Sequence, residues 1–257
     1  MNAPSGQSAC AIEAKGLGRQ FGQKWAVRGL DLAIAPGEIY GFLGPNGAGK
    51  TTTIRLLAGM LQPSEGTVRI DGRDYGPDPR AIKRILGLVP DTPPLYDHLT
   101  GRQYVALVAS LWGVSRRARD ARCEQLFHQL HMTDVADELC RSYSHGTKKK
   151  AHIAAVLVTE PKVLLLDEPT TGLDPRSARA LKDLLVMEST RGAAILFSTH
   201  VLDAAEQICS RVGILDRGAL RAEGTVAQLR AQSGDRSLED VFLQLTSDGA
   251  DNGIAAR

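Results

Sequence analysis

The chain has 257 residues, 43% of them hydrophobic and 23% charged, with a formal net charge of +2. Those fractions belong to a soluble globular protein with a large core, and so small a net charge gives no ground for nucleic-acid binding. No run approaches 18 apolar residues, which excludes an ordinary membrane-spanning helix.

Met1-Asn2-Ala3-Pro4-Ser5-Gly6-Gln7-Ser8 has neither the basic nor the apolar part of a signal peptide, so none is expected. Residues 1–9 and 247–257 are polar, Gly-rich or without apolar periodicity and are expected to be loose tails. Between them, residues 11–14 and 30–34 read as antiparallel strands. Phe21, followed by Gly22, lies between these strands, where an aromatic could stack on a base or fill core. The four cysteines, Cys10, Cys123, Cys140 and Cys209, are scattered with no C-x-x-C and read as unpaired thiols of a reducing cytoplasm.

The apolar run Ile39-Tyr40-Gly41-Phe42-Leu43 then reads as a strand. It leads into Gly44-Pro45-Asn46-Gly47-Ala48-Gly49-Lys50-Thr51, which fits G-x-x-x-x-G-K-[ST], with Thr52 beside it and a helix-like stretch over 54–58. Strand, glycine-rich turn and helix start stand in the order a polyphosphate cradle needs. Glycines let backbone N–H groups close around the anion, and the helix dipole adds to their field. Lys50 would reach the β- and γ-phosphates and the Thr51 hydroxyl would ligate Mg²⁺.

Residues 67–70, closed by Asp71-Gly72, form another expected strand, and residues 86–89 a short one ending at Pro90-Asp91. From 99 to about 157 the period becomes helical: Tyr104, Leu107, Val108, Leu111 and Trp112 share one face. Residues 116–129 form a second, more charged helix, and the whole stretch reads as an inserted helical subdomain. Alternation then resumes with a fully apolar strand over 163–166, helix 177–188, strand 194–197, helix 202–209 and strand 212–215. That order gives an α/β sheet whose ligands lie at the carboxyl ends of its strands. Asp167 and Glu168 end one such strand: Asp167 would hold the Mg²⁺ shell and Glu168 would polarise the attacking water. His200 ends another, as a structural histidine or as a γ-phosphate contact.

Together, the Walker A stretch 44–51, the Walker B stretch 164–168, Gly172-Leu173-Asp174-Pro175 and His200 resemble, in order and spacing, the ATP-binding cassette (ABC) ATPases over about residues 11–246. The resemblance implies a P-loop NTPase α/β core with a mostly parallel sheet, an N-terminal antiparallel β subdomain and an inserted α-helical subdomain. It divides a single domain, 10–246, into a core (10–98 and 160–246) and a helical signature subdomain (99–159). It implies ATP and Mg²⁺ as ligands. The nucleotide would be held by Phe21 on the base and by Gly44, Pro45, Asn46, Gly47, Ala48, Gly49, Lys50, Thr51 and Thr52 on the phosphates. Thr51, Asp167 and Asp91 would stand around the metal, Asp91 at the position of the family's Q-loop glutamine, and Glu168, His200 and Lys50 would be catalytic.

Tyr143-Ser144-His145-Gly146-Thr147 occupies the place of the family's L-S-G-G-Q signature. Ser144 and Gly146 remain as γ-phosphate donors to a second copy's ATP, Asp174 would cross the dimer interface, and His145, Thr147 and Asp91 depart from the pattern. The implied partners are a second ABC subunit, expected as a homodimer, and a separate transmembrane subunit meeting residues 93–104, with no nucleic acid. The implied place is the cytoplasmic face of the membrane. Leu238-Glu239-Asp240-Val241-Phe242 resembles the tail of drug-resistance exporter cassettes. Two rivals stay open: a regulatory, weakly hydrolysing cassette, and an ABC ATPase acting on nucleic acid or ribosomes.

Lys148-Lys149-Lys150 opposes the dipole of the helix it opens by several tenths of a kcal/mol each. The three read as a solvated basic face, or as a face turned to a partner's ATP, in which case the ATP sandwich weakens with salt.

Overall fold

The computed structural model describes residues 10–76, 79–232 and 237–247. Of the expected loose tails, all but Ser247 lie outside the described residues. β1 (Ile12–Phe21) and β2 (Lys24–Ile34) form a hairpin, paired from Ile12 with Ile34 to Phe21 with Lys24. It is longer than alternation in the sequence suggests. The register shifts between Ala14 and Leu17 and again beyond Leu17, and each shift breaks the period of two by which a strand is read.

β4 (Glu65–Ile70) and β5 (Arg73–Asp74) complete an antiparallel sheet in the order β2-β1-β4-β5. The second sheet contains β3 (Ile39–Leu43), β6 (Leu86–Val89), β7 (Val163–Asp167), β8 (Ala194–Thr199), β9 (Arg211–Asp216) and β10 (Ala219–Gly224). Its order is β10-β9-β3-β8-β7-β6, parallel throughout except for β10, which pairs antiparallel with β9 at the edge. This mixed arrangement, with helices around it, is the P-loop α/β fold.

The helices are α1 (Lys50–Leu57), α2 (Pro79–Lys83), α3 (Gly101–Leu111), α4 (Arg116–Gln129), α5 (His145–Leu157), α6 (Pro175–Thr190), α7 (Leu202–Ile208), α8 (Val226–Gln232) and α9 (Leu238–Ser247). The stretch 99–157 thus resolves into three helices. All three have side-chain caps that signal their starts: Thr100 and Gln103 form a capping box on α3, Ser115 caps α4 and Ser144 caps α5, at about 1 kcal/mol per cap. α6 starts two residues before the expected 177, because Asp174 caps it and Pro175 fits its first position. α2, β5, β10 and α8 carry no strong period and are not legible in the sequence.

Every residue of β3 and β7 is buried, and successive β7 side chains feed opposite cores, as a pleated strand requires. Leu164 and Leu166 join Phe127, Ile153, Ala154 and Phe197 on the face covered by the helical stretch. Val163 and Leu165 join Ile12, Leu30, Phe42 and Ile54 on the face covered by α1 and the antiparallel sheet. A third cluster, with Ile214, Leu229, Leu238 and Val241, draws α8 and α9 onto β9, which explains the apolar spacing of the tail motif.

Candidate nucleotide site

Strand register sets the site. Leu43 lies beside Thr199 and Asp167 beside Ser198, so Gly44, Glu168 and His200 leave three adjacent parallel strands at one level, on the carboxyl edge where open α/β sheets take ligands.

The loop after β3 is shaped by what a side chain would hit. A Cβ on Gly44 would collide with the Leu215 carbonyl oxygen. Gly49, at φ +112°, has the Ala26 carbonyl oxygen 2.5 Å from where a Cβ would sit, and Gly47, at φ +82°, is left-handed in open space. Gly49 caps α1 with no side-chain hydrogen bond, so the first-turn N–H groups carry the helix's positive end without a competing acceptor. Ala48 is buried and its N–H donates to the Pro45 carbonyl at 3.2 Å. Lys50, 6% exposed, folds back over the loop. Its ammonium donates to the carbonyls of Gly44 at 2.6 Å and Pro45 at 3.2 Å and lies 3.4 Å from Glu168 Oε1.

Asp167 is buried and accepts the Ser198 hydroxyl at 2.7 Å. Glu168 follows at φ +47°, a left-handed conformation that costs a non-glycine residue about 1 kcal/mol and persists only where the surroundings hold it. Its N–H points at both the carbonyl and the hydroxyl of Ser198, each at 3.2 Å. Its Oε2 meets His200 Nδ1 at 2.9 Å, and its buried Oε1 has no hydrogen bond. The Thr51 hydroxyl and the Asp167 carboxylate supply hard oxygens of the kind Mg²⁺ takes.

Most of these groups border one cleft of about 820 Å³, while Gly44, Ala48 and His200 lie outside its lining. It brings together Phe21, Pro45, Asn46, Gly47, Gly49, Lys50, Thr51, Thr52, Asp91, Asp167 and Glu168. Lys24, Trp25, Ala26 and Arg217 also line it and were not anticipated. The Asp216-Arg217-Gly218 turn, with Arg217 at φ +50°, was the available signal for one of them. Phe21 is 48% exposed at the hairpin tip, with the Arg19 guanidinium 4.8 Å from its ring centre.

Ser144, Gly146 and Asp174 do not line the cleft. They sit together beside it. The Ser144 hydroxyl accepts the Thr147 N–H at 3.2 Å, and a Cβ on Gly146 would stand 2.6 Å from the Gly172 carbonyl oxygen. Hydrogen bonds from the Ser177 hydroxyl and N–H hold the Asp174 carboxyl down at about 2.

The three lysines do not form one face. Lys148 lies 3.8 Å from Asp97, and Lys150 donates to the His131 carbonyl at 3.4 Å. Lys149 is 0% exposed and turns inward. Its ammonium donates to Asp91 Oδ1 at 3.1 Å and to the carbonyls of Glu168 and Thr171, each at 2.9 Å. Neither the solvated face nor the partner-facing one describes Lys149. Periodicity gave no hint, since its acceptors come from β6 and β7 ends distant in sequence.

A separate apolar groove of about 500 Å³ runs between α3 and the end of β6, lined by Met60, Leu88, Leu95, Tyr96, Leu107 and Trp112 among others. Tyr104 and His152 close its floor: the tyrosine hydroxyl lies 2.7 Å from Nδ1 and the Leu88 carbonyl 3.1 Å from Nε2, and burial pushes the imidazole pKa down. Among the described residues no helix is long and apolar enough to cross a membrane.

Residues 27–171 match the family described as ABC transporter. The daunorubicin resistance ATP-binding protein DrrA3 of Streptomyces coeruleorubidus is 37% identical over 240 residues, covering 93% of this chain and 76% of the relative. A solved ATP-binding subunit of an ABC transporter superposes with a TM-score of 0.87 at 31% identity, over 91% of this chain and 99% of that one. The cbiO1 protein of Clostridium perfringens, part of the ABC transporter complex cbiONQ, superposes with a TM-score of 0.76 at 28% identity, over 96% and 100% of the two chains. The likenesses run over nine-tenths of the chain and take in its phosphate loop and paired carboxylates, and the chain belongs to the ABC transporter family, as one of its ATP-binding subunits.

Proposed function

We propose that this chain hydrolyses ATP in the 820 Å³ cleft and, as a pair of identical copies, powers a membrane subunit that exports its cargo. The observation that carries the reading is the convergence of Lys50, Asp167, Glu168 and His200 on one sheet edge. A γ-phosphate entering the loop replaces the Gly44 and Pro45 carbonyls as the partner of the Lys50 ammonium, exchanging neutral acceptors for charged ones. Thr51 and Asp167 would hold Mg²⁺, which spreads the phosphate charge when bound. Glu168 Oε1, buried without a hydrogen bond, is placed to accept a proton from the attacking water. His200 holds the other carboxylate oxygen at 2.9 Å and so fixes that direction. Phosphoryl transfer asks little else of a protein than such positioning and charge.

Ser144, Gly146 and Asp174 stand outside the cleft, so they serve a nucleotide only if a second copy brings them over its phosphates. That supports a dimer with ATP between the copies. The apolar groove beside residues 93–104 suits an amphipathic segment of a membrane subunit, which supports the reading that the chain works at the membrane's cytoplasmic face. The family and the cbiONQ neighbour support such a partner, and the drug-resistance relatives support export.

The test is phosphate release by the purified chain with Mg-ATP, beside Glu168→Gln. Loss of a positioned base lowers kcat by about 100-fold or more. Equal, measurable rates in the two proteins would remove Glu168 as the base, and a parent that releases no phosphate would refute hydrolysis and favour a nucleotide-binding regulator.

A further inference from the structure

Lys149 has no assigned role, yet it is a fully buried cation with three acceptors for its three protons. Such a group persists in a protein interior only when it is paired and saturated with hydrogen bonds. Its acceptors belong to two segments. Asp91 follows β6, while Glu168, just after β7, and Thr171 share the turn against which Gly146 is packed, closed by the Thr171 N–H on the Glu168 carbonyl at 3.2 Å. Lys149 itself lies in the first turns of α5, one turn beyond the Ser144 cap.

The acceptor on Glu168 is its backbone carbonyl, and Glu168 is the residue held at φ +47°. Ser198 pins the peptide on its N-terminal side, and the Lys149 ammonium at 2.9 Å, together with the Thr171 N–H at 3.2 Å, pins the one on its C-terminal side. With both peptides fixed, the carboxylate is aimed at Lys50 and His200. Asp91 completes the arrangement. Half exposed at the cleft wall, it brings a negative charge toward a phosphate site, and the ammonium 3.1 Å away compensates it.

We propose that Lys149 is a positioning residue for Glu168, charge-compensated by Asp91, and that it ties the Ser144–Gly146 turn of each copy to that copy's own glutamate. The inference rests on the hydrolysis reading above. Movement of α5, when Ser144 and Gly146 engage a partner's nucleotide, is then carried to the Glu168 peptide. One composite site thereby adjusts the other.

The test uses the full chain with Mg-ATP and measures kcat, KM and fluorescent-nucleotide binding. Lys149→Met removes the ammonium while keeping the length of the side chain. It is expected to lower kcat at least tenfold with KM within threefold, since the phosphate loop is untouched. The same substitution in a Glu168→Asp background, whose shortened carboxylate is already out of place, is expected to lower the residual rate less than twofold. A general loss of structure would instead multiply both rates by one factor, and that result would overturn the proposal. If Lys149→Met fails to bind nucleotide, Lys149→Gln, which keeps two donors, carries the same comparison in the two backgrounds. A parent that releases no phosphate overturns the hydrolysis reading and this one with it. A parent that hydrolyses ATP and is matched within twofold by Lys149→Met overturns the role of Lys149 alone.

Discussion

The phosphate-loop side and the signature-helix side of this molecule each bury a lysine, and the two are held in different ways. Lys50 bends onto the carbonyls of its own loop, beside an open cleft whose other walls are N–H groups and carboxylates. Its hydrogen-bond acceptors are neutral and local and only the Glu168 carboxylate, 3.4 Å away, is charged, so an anionic ligand can displace the two carbonyls. Lys149 is held by a carboxylate and two carbonyls from segments 58, 19 and 22 residues away, and none of its protons is left for a ligand. The same side chain thus serves one function where its hydrogen bonds are exchangeable and another where they are not.

The largest expected effect breaks the exchangeable side. Lys50→Ala removes several charge-assisted hydrogen bonds to phosphate, each worth about 2 kcal/mol. ATP affinity should fall by about a thousandfold, near 4 kcal/mol. Melting of the free protein should change little, because two loop carbonyls next to a solvent-filled cleft can turn to water. Equilibrium binding and a thermal melt read the two parts, and unaltered affinity would remove the ligand role of Lys50.

A third buried cation sharpens the contrast. Arg122 on α4 pairs with Glu188 on α6, both side chains being almost wholly removed from solvent, and Arg191 joins the same carboxylate at 3.2 Å. None of these three residues lines the nucleotide cleft. Glu188→Gln leaves the Arg122 charge uncompensated and should cost about 3 kcal/mol of folding stability by urea titration, with KM for ATP unchanged. If KM moved instead, the separation between structural and ligand-exchanging cations drawn here would fail.

How much of this was legible in the sequence follows the same division. The phosphate loop and the Asp167-Glu168 pair could be placed because their chemistry is local: glycines, a helix start and a carboxylate closing an apolar strand announce themselves within a few residues. The continuous apolar runs of β3, β7, β8 and β9 were legible for the same reason. His200 stayed open between a structural and a phosphate-binding role, and its contact with Glu168 was not legible. The hairpin of β1 and β2 was seen only in part, since its bulges hide the alternation. β10, at the edge and half exposed, has no continuous apolar run to betray it. Lys149 was placed on the right helix but in the wrong surroundings, because a charged residue beside two others reads as surface unless one knows that Asp91 and two carbonyls converge on it. Partnerships between distant segments are set by how the layers pack, and no period in the sequence encodes them.

The smallest expected effect tests the far wall of the cleft, where the antiparallel sheet contributes Phe21. One side of its ring is occupied by the Arg19 guanidinium at 4.8 Å, and half of the residue is exposed at the hairpin tip. A purine stacked on the open side gains about 1 kcal/mol beyond the area it buries, so Phe21→Ala should weaken ATP binding about fivefold. Inorganic tripolyphosphate has no base to stack, and its affinity should stay the same in parent and variant. Lys50→Ala should lower both affinities alike. An equal loss for the two ligands in Phe21→Ala would mean that the ring shapes the loop rather than meeting the base, since only a disturbed phosphate cradle weakens a ligand that lacks one.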